Sequence, residues 1–286
     1  MQRALVFGAS GQIGMPLLVR LQDDGWRVTA VSRTPRNDQP GLHWLQGDFD
    51  GIAGLPDDVD ALFSCGPLDR FARWYAGSRI DAARVVAFGS TSIEVKRGSS
   101  DPHERDLAQR LREGERGVFE AAAARGADAT LLRPTLIYGA GRDQTLSRIA
   151  VLARRWGRFV LPRHACGRRQ PVHVQDLAQA AFDALPAEAS HGRAYALPGG
   201  ETLPYRDMVA RVLACLQPPP RLVELPSPLF NLTLLTAQAT GHATGLGEAA
   251  VARMRTDLVF DAAPAQRDFG YAPRPFNPTS QMFGVD

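Results

Sequence analysis

Over its first half the chain alternates short apolar runs with longer segments whose apolar residues recur at helical spacing. Arg3 to Gly8, Trp26 to Val31, Leu42 to Leu45, Ala61 to Cys65, Val85 to Phe88 and Ala129 to Leu132 read as buried strands. Residues 14 to 23 put Leu17, Leu18 and Leu21 on one helical face, and Gly25 ends that helix. A long helix is expected from Glu104 to Arg125, with Leu107, Leu111, Val118 and Phe119 on its apolar face and Gly126 as its cap. Strand and helix alternating in this way predict parallel strands joined by crossover helices. The expected fold class is α/β, a Rossmann-type doubly wound parallel sheet with a smaller, partly interleaved C-terminal α/β substrate region.

The second half is less regular. Helices are expected over Leu146 to Trp156, Val174 to Leu185 and residues 205 to 216, before Pro218-Pro219-Pro220 breaks the chain. Residues 222 to 235 are apolar and interrupted by Pro226 and Pro228. They read as packing on the core rather than as the lining of a cleft. The expected division is a dinucleotide-binding unit over residues 1–165 and a substrate region over residues 166–286, the second interleaved with the first.

Residues 8 to 14, Gly-Ala-Ser-Gly-Gln-Ile-Gly, lie between the first strand and the first helix. A residue without Cβ at Gly8 permits a tight turn off the strand. Gly11 permits close approach of an anion, and Gly14 lets the helix pack near the sheet. Free amides and the helix dipole then favour a pyrophosphate. Gly8, Ser10, Gly11, Gln12, Ile13 and Gly14 are therefore the candidate cradle of a dinucleotide.

Composition narrows the classes. A net charge of +3 over 286 residues gives no reason to expect nucleic-acid or membrane binding. No run is long enough for a membrane span, and the N-terminus enters a strand without a signal-peptide pattern, so a cytoplasmic protein is expected. Cys65, Cys166 and Cys215 are scattered, with neither a disulfide framework nor metal-site spacing, and no metal is expected. The 33 basic residues include one lysine, Lys96, so a mechanism that needs a lysine has one candidate.

The Gly-x-x-Gly-x-x-Gly turn resembles that of the short-chain dehydrogenase/reductase superfamily, in its extended and atypical branches that include nucleotide-sugar epimerases and dehydratases. Gly47-Asp48-Phe49, Arg133 to Gly139, Pro171 to Leu177 and Asp268 to Pro273 resemble further landmarks of that family, so the likeness spans nearly the whole chain. The resemblance implies adenine contacts from Asp48 and Phe49, cofactor contacts from Cys65 and Gly66 after the fourth strand, and from Pro134 beside the nicotinamide. No acid ends the second strand; Val31-Ser32-Arg33-Thr34-Pro35-Arg36 stands there. A carboxylate at that place selects an unphosphorylated ribose. Ser32 and Arg33 instead suit a 2'-phosphate, and NADP(H) is expected over NAD(H).

The resemblance implies a substrate-polarising hydroxyl after the fifth strand, where Ser90 and Thr91 stand. It also implies a Tyr-x-x-x-Lys pair, and that pair is absent: residues 104 to 118 hold no tyrosine. Tyr138 and His103 are substitute candidates for the proton transfer. Arg142, and Arg168 of the basic pair Arg168-Arg169, are candidate contacts for a small-molecule substrate, a nucleotide sugar among the options. Two readings stay open. One is an NADP(H)-linked reductase or epimerase-like enzyme. The other is a non-catalytic dinucleotide-binding redox sensor or accessory subunit. A protic side chain beside Thr91 would favour the first.

Overall fold

The computed structural model describes residues 1–239 and 248–285. The first half runs β1 (Arg3–Phe7), α1 (Gly14–Asp23), β2 (Arg27–Ser32), β3 (Leu42–Gln46), β4 (Asp58–Ser64), α2 (Leu68–Gly77), β5 (Asp81–Phe88), α3 (Ser92–Val95), α4 (Pro102–Ala123) and β6 (Asp128–Pro134). There follow β7 (Ile137–Tyr138), α5 (Leu146–Trp156), β8 (Arg158–Pro162), β9 (Arg168–Arg169), β10 (Val172–His173), α6 (Val174–Asp183) and β11 (Arg193–Leu197). The last described part holds β12 (Leu203–Pro204), α7 (Tyr205–Ala214), β13 (Arg221–Leu225), α8 (Ser227–Ala239), α9 (Glu248–Arg253) and α10 (Ala263–Phe269).

Seven strands form one parallel sheet in the order β11-β6-β5-β4-β1-β2-β3. The order reverses at β1, so the crevice beyond the carboxyl ends of β1 and β4 is the place where such sheets bind ligands. The central strands are apolar without alternation because both faces are covered. Leu17, Leu18 and Leu21 of α1 and Leu177, Ala178 and Ala181 of α6 bury one face. Phe71 and Tyr75 of α2 and Val118 and Ala122 of α4 bury the other.

The Rossmann-type architecture, strands β1 to β6 and helices α1 and α5 are those expected from the sequence; strand β11 of the sheet is not among them. Helix α2 was not anticipated, although Leu68, Phe71, Ala72 and Tyr75 carry the helical spacing on its buried face. The seventh strand of the sheet comes from residues 193–197, well beyond residue 165. The remainder, including the β7–β10, β9–β12 and β8–β13 pairs, surrounds a separate core of Tyr138, Leu146, Ile149, Met208, Val212 and Phe276. Residues 222–235 meet the packing expectation only in part: they form β13 and much of α8, Leu222 packs against the C-terminal core, and Phe230, Thr233 and Leu234 line a cavity.

Candidate functional site

The glycine turn is built as the sequence requires. Gly8 has φ +67°, and a Cβ there would lie 2.7 Å from the Cys65 carbonyl carbon. A Cβ on Gly11 would come within 2.9 Å of the Gly8 oxygen, which already accepts the Gly11 amide at 2.9 Å. A Cβ on Gly14 would sit 2.3 Å from that oxygen and 2.6 Å from the Ala9 oxygen. Each position thus excludes any side chain, and the turn is held against β4. The Gln12 side-chain oxygen is buried without a hydrogen-bond partner, at the edge of the adjoining cavity. An orphaned polar atom beside a glycine cradle at a helix start fits a bound nucleotide.

At the end of β2, Ser32 is buried and its hydroxyl donates to Ser10 Oγ at 3.3 Å. Arg33 is exposed, and its guanidinium has no hydrogen bond or ion pair among the described residues. Arg36, by contrast, lies over the Trp44 ring at 5.0 Å. Asp48 is engaged in its own turn: its carboxylate accepts the Asp50 amide at 2.9 Å and pairs with Arg70. The Asp50 amide is the main reason its carboxyl sits below the usual range, with Arg70 adding to it. Phe49 stacks on Phe7 at 4.8 Å. A Cβ on Gly66 would press on the Phe49 ring at 3.0 Å, so this glycine makes room for the aromatic. Cys65 and Gly66 form the floor under Gly8.

A cavity of about 1370 Å³ runs from Gln12 past Ser90, Thr91 and Ser92 into the C-terminal region. The structure brings Ser90, Thr91 and Arg142 together on its wall. Thr91 Oγ1 donates to the Pro134 oxygen at 3.1 Å, and the Thr91 amide donates to the same oxygen at 3.2 Å. Pro134 therefore fixes the hydroxyl loop. Ser90 Oγ accepts the Ser92 amide at 3.1 Å. Arg142 donates to the Ser10 oxygen at 2.8 Å, which ties the cavity wall to the glycine turn.

Three of the residues expected at the site lie elsewhere. Tyr138 is fully buried between His173 and Phe276, does not line the cavity, and has its hydroxyl pushed up to about 12 by burial. It follows the Arg133-Pro134 segment, which the resemblance places along the nicotinamide; its ring is instead used in the C-terminal core. Arg168 pairs with Asp257 at 2.8 Å outside the cavity. Strand residues alternate sides, so its neighbour Arg169 faces the cavity in its place. His103 is exposed on the first turn of α4.

Lys96 does line the cavity, near Ser90 and Ser92. Its Nζ is 3.5 Å from Glu104 Oε1. Glu104 also accepts from Arg253 at 2.6 Å and from Ser99 at 2.7 Å. Burial pushes the Glu104 carboxyl up, but these hydrogen bonds outweigh it and hold it below the ordinary value. Arg169 is buried, donates to the backbone oxygens of Arg168 and Thr256 at 2.7 and 2.9 Å, and lies over the Tyr205 ring. It has no carboxylate partner among the described residues. Burial lowers its guanidinium pKa from the usual value, the mark of a charge held without full compensation. Among the described residues the cavity is lined by Lys96, Arg142, Arg148, Arg155, Arg158, Arg169 and Arg253, and by one carboxylate, Asp143. Asp143 is spent at the start of α5, where it accepts the Thr145 and Ser147 amides at 3.0 and 3.1 Å. The walls between these cations are apolar, with Leu152, Phe159, Phe230, Leu234, Met254 and Phe260.

The same architecture occurs in MoeE5, solved in complex with UDP-glucuronic acid and NAD. That structure superposes with a TM-score of 0.71 at 18% identity, over 99% of this chain and 97% of that one. The chain has the fold of the NAD-dependent epimerases and dehydratases. No protein-family profile matches it. In sequence it is 26% identical to a 2-alkyl-3-oxoalkanoate reductase of Stenotrophomonas maltophilia over 95% of both chains. It is 27% identical to a 3 beta-hydroxysteroid dehydrogenase/Delta 5-->4-isomerase of Mycobacterium tuberculosis over 95% of this chain and 86% of that one. The resemblance read from the motifs is thus present in reductase and dehydrogenase relatives and in epimerase folds alike.

Proposed function

We propose that the protein is an NADP(H)-linked reductase of a carbonyl compound that carries a negative charge and an apolar body. The observation that carries this reading is the lining of the cavity: seven cations, of which Lys96 and Arg253 share Glu104 behind the wall, and one lining carboxylate that is already engaged, set in apolar walls beside the dinucleotide turn. Field and burial together favour an anion there. The apolar walls favour an amphiphilic acid over a nucleotide sugar. The names of the two curated relatives described above, an oxoalkanoate reductase and a steroid dehydrogenase, support the same choice.

In this reading the glycine turn, Gln12 and Arg142 hold the pyrophosphate, and Ser32 and Arg33 hold the 2'-phosphate. A bound dihydronicotinamide supplies the hydride for the carbonyl carbon. Ser90 and Ser92 present hydroxyls to the carbonyl oxygen. Lys96 gives that oxygen its proton, and with 24% of its side chain exposed it regains one from solvent. Glu104 holds the Lys96 ammonium in place. Arg169 binds the substrate's acid group.

Purified protein is expected to oxidise NADPH on addition of a medium-chain 2-alkyl-3-oxoalkanoate. Arg169→Met is expected to raise KM for the acid by about 10- to 100-fold, the usual loss with a charged hydrogen bond, and to leave KM for its methyl ester unchanged. Turnover of a UDP-sugar in place of the oxoacid would favour an epimerase. NADPH binding with no turnover of either would favour the non-catalytic reading.

The cofactor preference has its own test. Arg33→Ala is expected to weaken NADPH binding by about 10- to 100-fold, by loss of a charge-assisted contact, and to leave NADH binding within about twofold. Equal losses for both dinucleotides in a fluorescence titration would refute the role of Arg33.

A further inference from the structure

Between Asp143 and Asp176 the chain carries Arg148, Arg154, Arg155, Arg158, Arg163, Arg168 and Arg169 and not one aspartate or glutamate. From Pro226 to Gly247 it carries no Asp, Glu, Lys or Arg. The fold brings these two compositionally unusual segments together. Helix α5 leads into β8, β8 pairs with β13, and β13 leads into α8, which packs back on β8. Both segments also form the wall of one cavity, through Leu152, Arg155 and Trp156 on one side and Phe230, Thr233 and Leu234 on the other.

Helix α8 is apolar on two sides. Phe230 and Leu234 turn to the cavity, while Leu229, Leu232 and Leu235 are 53%, 60% and 62% exposed. At 100° per residue these three leucines fall on one arc of the helix. Val151 and Trp156 of α5 add further exposed apolar surface, 49% and 53%. Arg154, Arg155, Arg158 and Arg163 are exposed on the same α5–β8 segment and make no ion pair among the described residues. An uncharged helix with an exposed leucine arc, packed on a strand that continues an arginine-rich segment, suits an element that lies in a lipid interface.

We propose that this face docks the protein on an anionic bilayer, with α8 lying in the interface and the arginines of α5 and β8 on the headgroups. The charge decides the occupant. A second copy paired through these two segments would bring no aspartate or glutamate to the guanidiniums, whereas acidic headgroups neutralise them. The helix is too short to cross: its 13 residues extend about 20 Å, against an apolar core of about 30 Å. Docking in this way brings the rim of the cavity to the headgroup layer. The proposal does not depend on the reductase reading, since it concerns binding to lipid and not turnover.

The full chain should sediment with vesicles of phosphatidylcholine containing about one-quarter phosphatidylglycerol and far less with pure phosphatidylcholine. Trp156 emission should shift to the blue on the acidic vesicles, and Trp156→Phe should remove the shift. Arg154→Gln with Arg163→Gln should weaken partitioning by about 5-fold per arginine, and Leu229→Gln with Leu232→Gln and Leu235→Gln by at least as much. Dinucleotide binding and circular dichroism of both variants should match the parent, which separates lost docking from lost folding. Several results would overturn the proposal: no sedimentation, equal binding to neutral and acidic vesicles, or variants that bind as the parent does. So would a dimer in solution that the leucine substitutions dissociate, because a second copy would then cover the face.

Discussion

Lys96→Met is expected to lower kcat for carbonyl reduction by about 10²- to 10⁴-fold, the ordinary contribution of a positioned proton donor. KM for the substrate and affinity for NADPH should stay within a few-fold, because the glycine turn and Arg169 are untouched. The companion variant Lys96→Arg is the informative control. It keeps a cation against Glu104 and so keeps the local pairing. A guanidinium does not give up a proton at neutral pH, so kcat should stay low. If arginine restored turnover, the charge alone would matter and Lys96 would be a positioning residue. A kcat within threefold of the parent in both variants would remove Lys96 from the mechanism. Stopped-flow measurement with a deuterated dinucleotide would show whether proton or hydride transfer has become slow.

The second large effect belongs to the turn. Gly14→Ala is expected to abolish measurable dinucleotide binding, a loss of about 100-fold or more, and to lower stability by about 1–3 kcal/mol. The cause is steric. The added carbon would lie 2.3 Å from the Gly8 oxygen and 2.6 Å from the Ala9 oxygen, and both are backbone atoms that no rotamer change can move. To make room, the start of α1 must move off the sheet, and its amides move with it. Gly25→Ala gives a useful contrast. Gly25 has φ +77° but nothing within 4 Å of a Cβ, so that variant loses stability through backbone strain and keeps its dinucleotide affinity. Thermal denaturation and a fluorescence titration on both proteins separate the two effects. Equal affinity of Gly14→Ala and parent would show that the turn is not the cradle.

The parts of the site carried by local sequence were readable from it. The glycines at 8, 11 and 14 encode their own turn, since each is needed for contacts within a few residues or with the adjacent strand. Ser90 and Thr91 follow the fifth strand and do reach the cavity. Readings that depended on which way a side chain faces fared worse. In Arg168-Arg169 the sequence marks a basic pair, but only strand pairing with β12 decides that Arg169 goes inward. Tyr138 follows a family-like segment, yet its ring packs against Phe276, far along the chain. Lys96 carried a signal, being the lone lysine among arginines, but nothing local tied it to Glu104 and Arg253.

The sequence by itself determined strands β1 to β6, most of the helices that cover them and the glycine turn, because periodicity and glycine spacing act over a few residues and the central strands are buried on both faces. The tertiary structure alone decided the character of the cavity. Its cations come from positions 96, 142, 148, 155, 158, 169 and 253, and they meet only when α3, α5, β8, β9 and α9 close around one space. Electrostatic potential depends on distance in space, and a net charge of +3 spread along the chain conceals a wall on which seven cations face one carboxylate.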